Sequence, residues 1–229
     1  MRTAVFLQAR MSSQRLPGKA LMQLAGKTIL QHAIESLHRV PADTYAVLCD
    51  KESADDFLPI CDACGFELFV GDPENVLARF CAAAHFFETD IIVRATGDNP
   101  LVSAEVARKS IEVLHQKSAD YAGLLYPPYG TAVEVVRSSC LHTALEKSTD
   151  PYDREHVTPY IYNNPDQFSL ALEPAPAEWQ LNERLTIDTQ EDYEYVKTLY
   201  TALYSGQPLN IEDVITWCEK NSSKKAKVI

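Results

Sequence analysis

No apolar run in the 229 residues approaches the roughly 18 that a transmembrane helix needs. The opening MRTAVFLQARM holds an apolar stretch too short for a secretory h-region, and it runs straight into charge. These absences argue against a membrane partner and for a cytoplasmic protein. Basic residues are also in deficit: 21 Lys and Arg face 32 Asp and Glu, for a net charge of −11. That balance argues against nucleic acid as a bulk partner. Cys61 and Cys64 form a C-x-x-C, but no second pair follows to complete a four-ligand zinc set. Most of the six cysteines sit among apolar neighbours, as small buried hydrophobes do. For this pair, one face of a helix ending at Gly65 is a better reading than a redox motif. Repeats and Gly/Ser linkers are absent as well.

What is present alternates. Strand-like TAVFLQA, YAVLCD, FELFVG, DIIVRAT and DYAGLL are separated by amphipathic helical stretches. Thr28–His38 has Ile29, Leu30, Ala33, Ile34 and Leu37 on one face, opened by a Thr28/Gln31 capping box. SADDFLPICDAC reads as a helix with an internal proline. PENVLARFCAAAHFFE reads as a helix with Asp72 at its N-cap and Pro73 at N1. This rhythm predicts an α/β fold, a mostly parallel sheet with helices on both faces. The C-terminal third is a smaller mixed region. There FSLALE and ERLTID read as strands and DREHVTPYIYNN as a helix interrupted near Pro159. We expect one domain over 1–220, a subregion at about 126–183 for the acceptor or for dimerisation, and a basic tail at 221–229.

The segment QARMSSQRLPGK, Gln8 to Lys19, follows the first strand with three cations and no acid. Residues 1–40 hold six cations against Glu35 alone, in an acidic chain. A cationic pocket on an acidic body suits a small polyanion. The dinucleotide pattern G-x-G-x-x-G fails, because Gly18 is the first glycine. The P-loop pattern half matches at Gly26-Lys27-Thr28, but its first glycine falls on Leu21. Phosphates are therefore expected on side chains: forked donors from Arg10 and Arg15, a point charge from Lys19, and a Pro17-Gly18 turn to gather them. The plain alternative is a solvated loop with scattered cations.

The arrangement Leu7, Ala9, Arg10, Ser13, Arg15, Leu16, Pro17, Lys19 resembles the N-terminal signature of cytidylyltransferases that activate acidic sugars, such as CMP-KDO synthetase and acylneuraminate cytidylyltransferase. GDPENVLARF, VRATGDNPL, GTAVEVV, DREHVTPYI and RLTIDTQEDYE extend the resemblance, in order, over nearly the whole chain. They point to the spore coat polysaccharide biosynthesis protein SpsF type. The resemblance implies a Rossmann-like fold of the nucleotide-diphospho-sugar transferase type. It also implies transfer of CMP from CTP to a small acidic acceptor, with Mg²⁺ and a homodimer.

By the same resemblance, Asp98 and Asp188 hold the metal, and with Arg10, Arg15 and Lys19 they form the catalytic set. Leu7, Ala9, Ser13, Asn75, Arg79 and Gly97 join those cations and Asp98 around the nucleotide. The acceptor side is read from the residues alone: Arg94, Glu134, Arg154 and His156 are expected there, the basic pair Arg154 and His156 suiting a carboxylate or phosphate. Each has a structural alternative. Asp98 and Asp188 suit helix caps or turns, Arg79 a solvent-facing helix position, and Arg154 and His156 an exposed helix start. Arg94 suits a pair with a nearby acid. Glu134 lies in an apolar run and needs a partner: a substrate hydroxyl, Arg154 or a lysine. No general base is assigned. Competing functions are a nucleotidyltransferase for another base, a binding module without transfer activity, and a glycosyltransferase. The last usually carries Asp-x-Asp, where this chain reads Gly97-Asp98-Asn99.

Overall fold

The computed structural model describes residues 1–13 and 15–225. The chain opens with β1 (Thr3–Gln8), a 3₁₀ turn at Lys19–Leu21, and the small hairpin β2 (Gln23–Leu24) and β3 (Lys27–Thr28). Helix α1 (Ile29–Leu37), β4 (Thr44–Cys49), α2 (Ala54–Cys64), β5 (Glu67–Val70), α3 (Val76–Phe86) and β6 (Ile91–Thr96) follow. Next come α4 (Ala104–Lys117), β7 (Tyr121–Leu125), β8 (Glu134–Arg137), α5 (Ser138–Lys147), and the short helices α6 (Pro151–His156) and α7 (Pro159–Tyr162). Edge strand β9 (Leu170–Pro174) precedes the closing helices α8 (Gln190–Leu203) and α9 (Ile211–Lys225). Helix α9 runs into the expected basic tail, whose last residues, 226–229, lie outside the described residues.

The main sheet has seven strands in the order β5-β4-β1-β6-β8-β7-β9. All neighbours are parallel except β8, which is antiparallel to both β6 and β7. The reason is local. Strand β7 turns back through 126–133 without a crossover helix, so the returning strand must run the other way. The first strands step outward through β4 to β5, then the chain recrosses to β6 on the other side of β1. That reversal opens a crevice beyond the carboxyl ends of β1 and β6.

Alternation along β1 sorts its side chains. Val5 and Leu7 pack under α1 and α4 with Leu30, Ile34 and Val113. Ala4 and Phe6 pack under α3 and α5 with Leu77, Phe80 and Leu141. A third cluster joins Leu24 and Ile29 to Leu185, Ile187, Val196 and Leu199 beside α8. It fixes the segment that leads to Asp188.

Three local expectations change, and the helical reading of Cys61 and Cys64 stands, with α2 closing at Gly65. Thr28 caps α1 by accepting from Gln31 N–H at 3.0 Å, but the Gln31 amide turns to Glu35, so no reciprocal capping box forms. Asn75, not Asp72, is the N-cap of α3. Asp72 instead accepts from the N–H groups of Glu74 and Asn75 in a turn ahead of it. Residues 184–188 add no strand to the sheet; Tyr129 and Arg184 form an isolated bridge. The Cys61/Cys64 thiols are free, and burial pushes Cys61 up to about 12 and Cys64 upward too, the reverse of an activated pair.

Candidate active site

Strands β1 and β6 pair in parallel with Gln8 opposite Thr96, so the segments after them leave the sheet side by side. Gly97 N–H donates to Gln8 carbonyl oxygen at 2.8 Å, and a Cβ on Gly97 would come within 3.0 Å of Ala9 and Leu30. The close approach at Gly97 is thus to the end of β1, and it sets the direction of Asp98. Leu7 is fully buried beneath this edge, and Ala9 N–H binds Leu48 oxygen at 3.1 Å. Beyond Ala9 the chain turns. Ser13 Oγ accepts from Leu16 N–H, and Gly18, with φ +69°, donates to the Met11 carbonyl. Only a left-handed residue allows that reversal cheaply, and it delivers Lys19 inward.

Lys19 is 8% exposed. Its ammonium lies 2.7 Å from Asp98 Oδ2, 3.1 Å from Asp188 Oδ1 and 2.8 Å from the Ile187 carbonyl. Arg15 reaches Asp188 Oδ1 at 3.1 Å, and Arg184 pairs with Asp188 Oδ2. Asp188 arrives by an extended route rather than a sheet strand: Ile187 N–H meets the Asp98 carbonyl at 3.4 Å, and Thr189 caps α8 in a capping box with Asp192. Burial alone would push Asp188 upward; the Lys19 hydrogen bond and the charges of Lys19, Arg15 and Arg184 outweigh it and hold the carboxyl below its ordinary value.

Three hard oxygens of Asp98, Asp188 and Ile187 thus converge on one cation, here the Lys19 ammonium. Two carboxylates at a cleft edge suit a divalent ion that takes its other ligands from phosphates and water. Among the described residues no cluster of three or more acidic, His or Cys side chains forms a self-sufficient metal cage.

The other expected residues lie around this centre. Arg10 is half-exposed and meets Glu155 on α6 at 3.3 Å. Asn75 spends its Oδ1 on the Ala78 N–H. Arg79 is 3% exposed, so it does not occupy a solvent-facing position. Its fork donates to the Asp72 carbonyl at 2.6 and 2.9 Å, with Leu48 and Pro73 oxygens farther off.

Arg94 and Glu134 face each other across β6 and β8 and form an ion pair. Arg94 also donates to Gln8 Oε1 at 2.9 and 3.2 Å, while Glu134 accepts from Tyr121 and Thr158. Glu134 therefore has its partner in Arg94, rather than in Arg154 or a lysine. Arg154 is exposed, with a 3.4 Å contact to the Ser148 carbonyl, and the His156 ring meets Tyr152 in a tilted contact at 4.3 Å. Arg94 and Glu134 pair with each other, Arg154 and His156 sit on α6, and Thr158 just past α6 donates to Glu134. Lys27 of the half-matched P-loop is engaged by Glu35 at 2.7 Å. Arg184 and Gln8 are neighbours to which the sequence assigned no role, although each is the first residue of a quoted motif, RLTIDTQEDYE and QARMSSQRLPGK.

Residues 4–221 match the cytidylyltransferase family model. The spore coat polysaccharide biosynthesis protein SpsF of Bacillus subtilis is 34% identical over 224 residues, 94% of this chain and 93% of its own. A cytidylyltransferase structure from Leptospira borgpetersenii aligns with TM-score 0.89 and 30% identity, covering 100% of this chain and 98% of that one. The fold is shared with CMP:2-keto-3-deoxy-manno-octonic acid synthetase complexed with CTP, at TM-score 0.67 and 18% identity over 88% of this chain and 99% of that one. Matched over almost its full length, the chain belongs to the cytidylyltransferase family and is a nucleotidyltransferase.

Proposed function

We propose that this protein transfers CMP from CTP to a small acidic acceptor, a sugar acid or a related molecule, in the making of surface-glycan precursors. The observation that carries the reading is the convergence of Asp98, Asp188, Lys19 and Arg15 at the crevice beyond β1 and β6. The acceptor oxygen attacks the α-phosphorus in line, the bond to the bridging oxygen breaks, and pyrophosphate leaves. Arg10, Arg15 and Lys19 receive the triphosphate. Arg10 is free to turn to it, since a half-exposed pair at 3.3 Å is worth little. Asp98 and Asp188 hold Mg²⁺, which when bound supplies charge neutralisation on the phosphates. Leu7, Ala9, Ser13, Asn75, Arg79 and Gly97 shape the nucleotide side. On the acceptor side, Arg154 and His156 offer exposed cationic groups, while Arg94 and Glu134 act from within the sheet. The sequence relatives support the glycan setting, and a cytoplasmic homodimer belongs to the same reading.

Calorimetry with CTP, UTP, ATP and GTP in Mg²⁺ tests the base. CTP is expected to bind at least tenfold more tightly than the others; equal binding would remove the cytidylyl assignment. An acceptor screen by pyrophosphate release then identifies the second substrate.

A further inference from the structure

Strand β1 ends on Gln8, half-buried, and alternation along the strand puts its side chain on the face of Ala4 and Phe6, under α3. The Arg94 fork donates to Gln8 Oε1 from two nitrogens, at 2.9 and 3.2 Å. A guanidinium carries donors only, so the atom it meets is the amide oxygen, and the amide nitrogen faces away from it. Among the described residues, no hydrogen bond leaves that nitrogen. Glu134 pairs with Arg94 and fixes the guanidinium in turn. Glu134 itself accepts from the Tyr121 hydroxyl at 2.7 Å and from the hydroxyl of Thr158, just past α6. Burial, with Glu134 beside it, pushes the Tyr121 hydroxyl up, so it stays a donor.

The Gln8 amide therefore has a fixed polarity, and it stands at the crevice. Gln8 is level with Thr96, and its carbonyl holds Gly97 N–H at 2.8 Å. The carboxylate centre lies toward α1 and α8, where Lys19 binds the Ile187 carbonyl and Ile187 packs with Ile29 and Val196. A nucleotide with its triphosphate there carries its base, at its opposite end, toward the α3 face and Gln8. Asn75 and Arg79 belong to that same helix.

We propose that Gln8 selects cytosine, its amide nitrogen donating to N3 of the base, with Arg94 and Glu134 as positioning residues that keep the amide from turning over. Cytosine offers an unprotonated N3, whereas uracil presents N3–H. To accept from that N–H, the amide must turn its oxygen outward. Its own NH₂ would then face the donor-only Arg94 fork, leaving donors on both sides unpaired. Uracil is thus rejected by a repulsive arrangement, and cytosine is held by an attractive one. The assignment rests on the transferase reading and adds to it the side chain that reads the base.

Calorimetry of CTP and UTP in Mg²⁺, on the unmodified protein and on Gln8→Glu, tests this without knowledge of the acceptor. Glutamate keeps the shape and the oxygen toward Arg94, but it puts a second acceptor where the amide nitrogen was. The ratio of CTP to UTP affinity is expected to fall about tenfold or more, through loss of CTP affinity with UTP affinity held or raised. Gln8→Met, which has neither group, is expected to bind the two nucleotides about equally. Arg94→Met combined with Glu134→Gln frees the amide to turn and is expected to raise UTP affinity with Gln8 intact. Where the melting curve of that double variant shows an unfolded chain, the two Gln8 variants decide alone. A ratio unchanged in Gln8→Glu, including an equal loss of both nucleotides, would overturn the proposal. The same titrations separate the two readings. A CTP preference that survives both Gln8 variants defeats the assignment of Gln8 alone, whereas equal binding of CTP and UTP by the unmodified protein removes the cytidylyl reading itself.

Discussion

Lys19 brings one positive charge to two carboxylates and a carbonyl while staying 8% exposed. With Arg15 and Arg184 it surrounds two acids with three cations. A divalent ion meets that local surplus as a like charge until a triphosphate draws the cations toward itself. Lys19→Ala is therefore expected to raise Mn²⁺ affinity in the absence of nucleotide several-fold, read by electron paramagnetic resonance, while weakening CTP binding. Unchanged Mn²⁺ affinity would count against Lys19 as the resident counter-ion. Asp188 gives a pH signature. Its carboxyl lies below the ordinary value in the folded chain, so its contribution to stability is present above about pH 4 and fades as pH falls through the folded value. The melting-temperature gap between the unmodified protein and Asp188→Asn should be widest near neutrality and should close below about pH 4. A gap constant from pH 7 to pH 3 would contradict this.

At the scale of elements, two extended segments, 126–131 and 183–188, are bonded to each other and frame the centre. Gly130 of the first segment faces the second at φ +103°, and a Cβ there would lie 2.8 Å from Thr186 nitrogen. Gly130→Ala combines a left-handed backbone with a backbone clash, so it should cost more than about 1 kcal/mol of stability. Denaturant unfolding measures this; a loss below that figure would mean the segments separate without strain.

The helices and the first strands were legible in the sequence because hydrophobic period follows burial directly. Segment 184–188 misled for the same reason. Leu185 and Ile187 are buried like strand residues, but they pack in the α8 cluster instead of completing a ladder. Asp72-Pro73 carries the signature of a helix start, yet Asn75 bonds the helix N–H and leaves Asp72 to the turn. Arg79 was illegible because its partners are backbone carbonyls, which residue identity does not reveal.

Across the whole molecule, the order of the strands decides where chemistry is possible. Recrossing from β5 to β6 places the β1 and β6 ends side by side, and the loop cations of an acidic chain collect at that one edge. The clustering of cations in the opening loop was legible from charge alone, and the place of Asp98 from the strand before it. The convergence of Asp188, ninety residues later, depends on the α8 cluster and on the bond from Ile187 to Asp98, which only the fold supplies. Asp98 and Asp188 are proposed to form a metal-dependent triphosphate site. Calorimetry of CTP with Mg²⁺ and with EDTA, on the unmodified protein and on Asp98→Asn, tests it most directly. At least tenfold tighter CTP binding with Mg²⁺ is expected, a difference abolished in Asp98→Asn. Equal affinity with and without Mg²⁺, or a metal effect that survives the substitution, would contradict it.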